Sequence, residues 1–301
     1  MTSGTPPAGR ASRGRFSSTW RELTGVAPAA AGAAAAAVAV GQAAAAVAAD
    51  TGGDVRIPAS FCGLVGFVPT YGRVSRYGVI QHAPSLTQVG LLARQVGDIA
   101  LLLEVLAGED PQDATTLPGT LSDLLAQAVE PKPLRIGIAP DIYRSFAGGD
   151  VCQAAANVWQ RAAEELGWEL VEVDLPWLEL AQIARRLIAA AESSSTLARY
   201  DGVRYGYRAE EAQDMRELFS RTRAEGFGEV VKGEMLLGTY ILGDKAHYEA
   251  YYLQALRARS VVSKSLQDLW GEVDFVLTPT TPELPGKRQA PPEIFTGPSN
   301  L

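Results

Sequence analysis

Apolar residues recur at helical spacing in two stretches of the chain, each set among short apolar runs. Over residues 98–106, Ile99, Leu102, Leu103, Val105 and Leu106 fall on one side of a helical turn, and Gly108 stands where such a helix would be capped. Over 150–166, Val151, Ala154, Val158, Ala162 and Leu166 repeat that spacing between the apolar runs 134–139 and 170–173. Strand, helix and strand of these lengths predict a crossover unit with parallel strands, and so an α/β fold. Helical periodicity dominates 178–269, and 273–277 reads as a last strand. From Thr278 onward the chain holds six prolines and no periodic element. Upstream, residues 50–88 are punctuated by Gly and Pro, and the runs 62–67 and 78–80 predict short strands joined by tight loops. No internal repeat is visible.

Residues 27–49 form a run of 23 without a charge, long enough to cross a bilayer. Sixteen of them are alanine, which contributes little to membrane insertion and suits a closely packed soluble helix. A buried helix is therefore expected here, and no membrane contact. Ahead of it, Arg10, Arg13, Arg15 and Arg21 precede the first acidic residue, Glu22. A transit peptide or a disordered basic tail has this composition; the expectation is a tail over 1–19, followed by one domain over 20–301. Without an apolar segment and cleavage site, a cytoplasmic protein is expected, with an organelle as the alternative.

Composition narrows the chemistry. With 27 Lys and Arg against 34 Asp and Glu, the formal net charge is -7, which disfavours a broad phosphate-tracking surface. Two cysteines, Cys62 and Cys152, exclude a disulfide framework or Cys-rich zinc site, and two histidines, His82 and His247, make a histidine-built metal site improbable. No metal or cofactor is expected in this chain.

The most informative segment is Asp50-Thr51-Gly52-Gly53-Asp54-Val55-Arg56-Ile57-Pro58-Ala59-Ser60. Two glycines let the backbone turn tightly, so that the N–H groups of Thr51, Gly52 and Gly53 point at one spot. Such a nest can hold a carbonyl oxygen as it becomes an oxyanion, although a Gly-Gly turn alone is more often structural. Arg56 is expected to brace the loop through Asp50, and Cys62 to be a buried structural thiol. Tyr71, Arg73 and Arg76 read as a solvated turn, with a partner or tRNA contact as the alternative. Tyr240, Tyr248, Tyr251 and Tyr252 read as helix packing with polar tips, His247 as a surface helix residue, and Trp159, Trp168, Trp177 and Trp270 as core or rim.

With the continuation Phe61-Cys62-Gly63-Leu64-Val65-Gly66-Phe67-Val68-Pro69-Thr70-Tyr71-Gly72-Arg73-Val74-Ser75-Arg76-Tyr77-Gly78, this segment closely resembles the amidase signature family. More narrowly it resembles the A subunits of glutamyl-tRNA(Gln)/aspartyl-tRNA(Asn) amidotransferases. The resemblance continues through Arg199-Tyr200-Asp201-Gly202-Val203-Arg204-Tyr205-Gly206-Tyr207, Leu237-Gly238-Thr239-Tyr240 and Tyr248-Glu249-Ala250-Tyr251-Tyr252. It implies an amidase-signature core, a mixed β-sheet surrounded by helices, present as a partial domain with a helical insertion at about 178–270. It also implies amide hydrolysis by a Ser-Ser-Lys triad. In the tRNA-linked members the A subunit frees ammonia from glutamine. A B subunit uses that ammonia with ATP and Mg to amidate misacylated tRNA, and a small C subunit braces the pair. Partners implied are thus the B and C subunits, with tRNA only indirectly.

The departures from the family pattern fall on the reactive positions. Where the resemblance places the nucleophilic serine stands Asp54, and where it places the cis serine stands Ala30. The lysine base lies upstream of the point at which this chain begins, and further core strands lie beyond Leu301. The arginine that grips the glutamine carboxylate aligns with Glu234, and a pocket-lining tyrosine pair aligns with Arg185 and Arg186. A carboxylate at position 54 would oppose a developing oxyanion, by roughly 4 kcal/mol at about 4 Å and an effective dielectric near 20. The expectation is that Asp54 accepts the nest N–H groups itself and that glutamine hydrolysis is lost. The remaining roles are a pseudoenzyme that docks on a partner, or an inert fragment.

Overall fold

The computed structural model describes residues 31–127, 133–285 and 293–301. The tail expected over 1–19 and Ala30 lie outside the described residues. Helix α1, Gly32–Ala39, buries Gly32, Ala35, Ala36 and Val38. It ends at Gly41, whose φ of +75° is left-handed. The alanine run does not continue as helix, as its composition predicted: Ala45–Asp50 is strand β1. Pairing overrides the weak preference of alanine here, because β1 supplies one edge of the three-stranded antiparallel sheet β1-β3-β2. The central strand β3, Gln88–Ala93, is buried at every residue. It pairs Val47 with Leu91 on one side and, on the other, Phe67 of β2, Val65–Phe67.

Between β1 and β2 lies helix α2, Arg56–Phe61, in a stretch that sequence periodicity assigned to strands and loops. The strand expected over 78–80 is instead a tight turn, in which Val79 N–H donates to Arg76 O at 3.0 Å and Gly78 takes a φ of +84°. Helix α3, Val96–Leu106, packs Ile99 and Leu103 onto Leu91 and Ala93, and a short helix α4 follows at Leu124–Gln127. Among the described residues no helix is long and apolar enough to cross a membrane.

The expected crossover is present. Strand β4, Arg135–Ile138, leads through α5, Pro140–Phe146, and α6, Gly149–Leu166, to β5, Glu169–Glu172, parallel to β4. Gly167 closes α6 with a φ of +65°. Strand β6, Phe275–Val276, adds to the other side of β4, giving a parallel sheet in the order β5-β4-β6. The mixed β content of this α/β fold is thus divided between one antiparallel and one parallel sheet. Tyr143, Trp159, Trp177, Val262, Val273 and Phe295 form the core against the parallel sheet. The Tyr143 ring lies 5.6 Å from both Trp159 and Phe295. Its hydroxyl donates to Leu277 O at 2.9 Å, and burial pushes the phenol up to about 12.

Helices fill most of the region 178–269: α7, Leu178–Thr196; α8, Met215–Gly226; α9, Glu229–Leu242; α10, Lys245–His247; and α11, Leu253–Leu269, with a π-helical turn at Tyr248–Tyr252. Gly238 lets α9 press against the backbone of α7 at Ala190, where a Cβ would not fit. Trp159 and Trp177 are buried while Trp270 is half exposed. Tyr240 stacks on His247 with ring centroids 4.1 Å apart, on the surface. Arg76 is not part of a solvated turn: it is buried. Its guanidinium lies over Tyr71 at 4.7 Å and donates to Thr115 Oγ1 at 3.0 Å, while its backbone N–H donates to Asp113 at 2.8 Å. The tightly folded 110–116 loop encloses it, a contact invisible to local spacing.

Candidate functional site

The site is built around the turn joining β1 to α2. Asp50 ends β1 fully buried. Its Oδ1 accepts the Gly53 N–H and its Oδ2 the Val55 N–H, both at 2.9 Å. Arg56, the first residue of α2, pairs with Oδ1 at 2.8 Å, and Asn300 Nδ2 donates to the same oxygen at 3.1 Å. Burial on its own would raise the Asp50 pKa. The Arg56 charge and these hydrogen bonds outweigh it and hold the carboxyl below its ordinary value. Arg56 braces the loop through Asp50, as its position in the sequence suggested.

The turn itself is closed by its own residues. Thr51 N–H donates to Asp54 Oδ2 at 3.0 Å. Thr51 and Thr87 share a hydroxyl hydrogen bond of 3.0 Å, and Thr296 Oγ1 donates to Gly52 O at 2.6 Å. Gly53 has a φ of +135°, a conformation open to glycine and strained for other residues. Of the three nest positions, Thr51 directs its N–H at Asp54 and Gly53 at Asp50, so the expectation that Asp54 takes the nest donors holds at Thr51 and is corrected at Gly53, whose turn faces the end of β1.

Two charged residues reach in from the helices. Arg185 on α7 is only 8% exposed, pairs with Glu293, and feels the charges of Asp54, Glu234 and Asp50. Burial lowers its pKa and those three acids counter that pull. Glu234 on α9 meets His82 Nε2 at 3.2 Å. The hydrogen bond from His82 holds its carboxyl below the ordinary value against partial burial. The structure thus gathers Thr51, Gly52, Gly53, Asp54 and Arg185 into one neighbourhood, with Glu234 close enough to act by charge. Ala30 lies outside the described residues.

Several members of the site escaped sequence reasoning. Glu293, Thr296 and Asn300 come from the proline-rich end and bond to residues more than 100 positions away. His82 and Thr87 sit in a loop read as structural. No periodicity or motif marks such contacts.

Among the described residues no group of three or more His, Cys, Asp or Glu side chains is arranged to hold a metal ion. Cys62 is a free, half-buried thiol whose pKa is raised by burial. A cavity of about 830 Å³ opens beside Arg56, between β2 and β6, lined by Val65, Trp177, Trp270, Phe295 and Thr296. Residues 51–54, Arg185 and Glu234 do not line it.

With this geometry in hand, comparison with known proteins is specific. The amidase family profile matches residues 22–300. The A subunit of glutamyl-tRNA(Gln) amidotransferase from Carboxydothermus hydrogenoformans is 48% identical over 234 residues, 77% of this chain and 48% of that protein. The protein of the same name from Synechococcus elongatus is 41% identical over 291 residues, 93% of this chain and 60% of its own length. In three dimensions, the crystal structure of the A subunit of Thermotoga maritima glutamyl-tRNA(Gln) amidotransferase superposes with a TM-score of 0.69 at 32% identity, covering 90% of this chain and 56% of that one. The peptide amidase of Stenotrophomonas maltophilia superposes with a TM-score of 0.64 at 25% identity, covering 90% of this chain and 56% of its own. The chain spans about half the length of the curated relatives it matches.

Proposed function

The chain belongs to the amidase signature family, and from that premise we propose that it is an A-subunit-like member of the tRNA-dependent amidotransferases that has lost glutamine hydrolysis. Its role is then that of a pseudoenzyme which docks on the B and C subunits, forming Gln-tRNA(Gln) or Asn-tRNA(Asn) only through them. ATP and Mg belong to the B subunit in this reading, and tRNA contact is indirect.

The observation that carries this reading is the hydrogen bond from Thr51 N–H to the Asp54 carboxylate, 3.0 Å long, at the position where the family has its serine nucleophile. An oxyanion hole works because its donors are preorganised for charge that develops only in the transition state. Here a resident negative charge already sits on one donor, and Asp50 engages a second. Incoming oxyanion and carboxylate would repel by roughly 4 kcal/mol at about 4 Å and an effective dielectric near 20. Glu234 adds to the effect, since a carboxylate at the position of the family's substrate-gripping arginine repels the glutamine carboxylate.

The test is ammonia release from glutamine by the purified full chain, alone and with B and C subunits. The expected rate equals the protein-free blank in both cases, with co-purification of B or C. Turnover above the blank contradicts the loss of hydrolysis, and failure to bind either partner contradicts the docking role.

A further inference from the structure

We propose that Arg185 is a resident occupant of the site: its guanidinium fills the slot over the glycine turn that a planar amide ligand would need. The inference rests on the reading of the β1–α2 turn as the ligand end of the site. The first observation is proximity. A Cβ placed on Gly52 would lie 2.6 Å from Arg185 Nη1, 2.7 Å from Cζ and 2.9 Å from Nε. A Cβ placed on Gly297 would lie 2.9 Å from Nε and 3.1 Å from Cδ. The guanidinium therefore sits between two glycines, neither of which leaves room for a side chain.

The second observation is how the group is held. Nη2 pairs with Glu293, while Asp54, Glu234 and Asp50 surround it with negative charge. Nε is buried with no hydrogen-bond partner among the described residues. Buried donors are nearly always paired, so a guanidinium seated with one donor unmatched is filling space whose polar walls were not arranged around it. Guanidinium and primary amide share a flat, trigonal shape with N–H donors on the rim. The side chain thus presents to the slot what a small amide would present.

Arg185 is tethered, so it competes at the high effective concentration of an intramolecular ligand. An amide entering the slot must also separate Arg185 from its partly exposed partner Glu293, at a further, smaller cost. Two features then close the site, Asp54 on the Thr51 N–H and Arg185 on the space.

The experiment measures binding of propionamide to the full chain by ligand-observed NMR, for the parent, Arg185→Ala, and Arg185→Ala combined with Glu293→Gln, which removes the unpaired charge. Either variant is expected to bind propionamide at least about tenfold more tightly than the parent, and Arg161→Ala, on the exposed face of α6, to match the parent. Variants that keep the parent's circular dichroism and bind no better overturn the proposal, as does a parent that binds equally well. Should both variants unfold, the Arg185 Nε–H resonance of the parent decides: slow solvent exchange supports the proposal, and exchange as fast as for an exposed arginine overturns it. Ammonia release by the parent would refute the loss of hydrolysis while leaving this binding result to stand or fall alone.

Discussion

Around the parallel sheet, Tyr143, Trp159, Val273 and Phe295 exclude water with apolar surface and place few polar atoms inside. Around the glycine turn, fully buried Asp50 gathers Gly53, Val55, Arg56 and Asn300, and Arg185 sits among four acids. The first region tolerates changes that conserve volume, because apolar packing is non-directional. The second tolerates few, because removing one partner strands another in a low-dielectric interior. In a family of enzymes the second kind of region is where chemistry is done. Here Asp50, Asp54 and Arg56 bond within the turn itself.

The comparison can be broken most sharply at Asp50. Asp50→Ala is expected to destabilise the chain by about 3–5 kcal/mol, since it strands the Gly53 and Val55 N–H groups and takes from Arg56 its acidic partner, leaving it only neutral acceptors such as Thr296 O, as read by urea denaturation. Trp159→Ala is expected to cost a similar amount, about 3–5 kcal/mol, through cavity formation. Acid separates them. The folded pKa of Asp50 lies below its ordinary value, so its contribution is complete above the ordinary carboxylate pKa of about 3.9 and is lost as pH falls toward the folded value. Asp50→Ala therefore flattens the acid limb of the stability profile, and Trp159→Ala leaves its shape unchanged. Equal acid limbs in both would contradict the division.

A smaller effect sharpens the account of the turn. Gly53→Ala forces a side chain into a φ of +135° and against Thr296, with an expected loss of about 1–3 kcal/mol in thermal unfolding. The smallest pair is Thr296→Val and Tyr143→Phe. Each removes one hydroxyl donor, to Gly52 O at 2.6 Å and to Leu277 O at 2.9 Å, and each is expected to cost about 1 kcal/mol. Only Thr296→Val is expected to speed amide exchange in residues 51–55; the reverse pattern would place the two hydroxyls in the wrong regions.

Legibility in the sequence followed the same division. The crossover unit β4–α6–β5 was readable as strand, helix and strand, but its packed face was misassigned: of the five apolar residues read onto α6 only Ala162 is buried, Val158 and Leu166 are exposed, and the helix packs through Trp159, Ala155 and Ala156. The alanine run misled where helix gives way to β1, since alanine carries almost no signal about which partner its backbone will meet. Asp50, Asp54 and Arg56 were legible as a motif because their contacts are local. Glu293, Thr296 and Asn300 were not, because a polar residue in an aperiodic stretch says nothing about a partner more than 100 residues away. Arg185 and Glu234 were flagged as departures, while the nearness of Arg185 to both Asp54 and Glu234 emerges only once α7 and α9 are packed.

The central claim is that two of the three nest donors, the Thr51 and Gly53 N–H groups, are already engaged by the loop's own carboxylates, and amide hydrogen exchange at these residues tests it most directly. In the parent chain both amides are expected to be protected. In Asp54→Ala, protection is expected to fall at Thr51 and to persist at Gly53, whose acceptor is Asp50. A Thr51 amide that exchanges as fast in the parent as in Asp54→Ala would contradict the account.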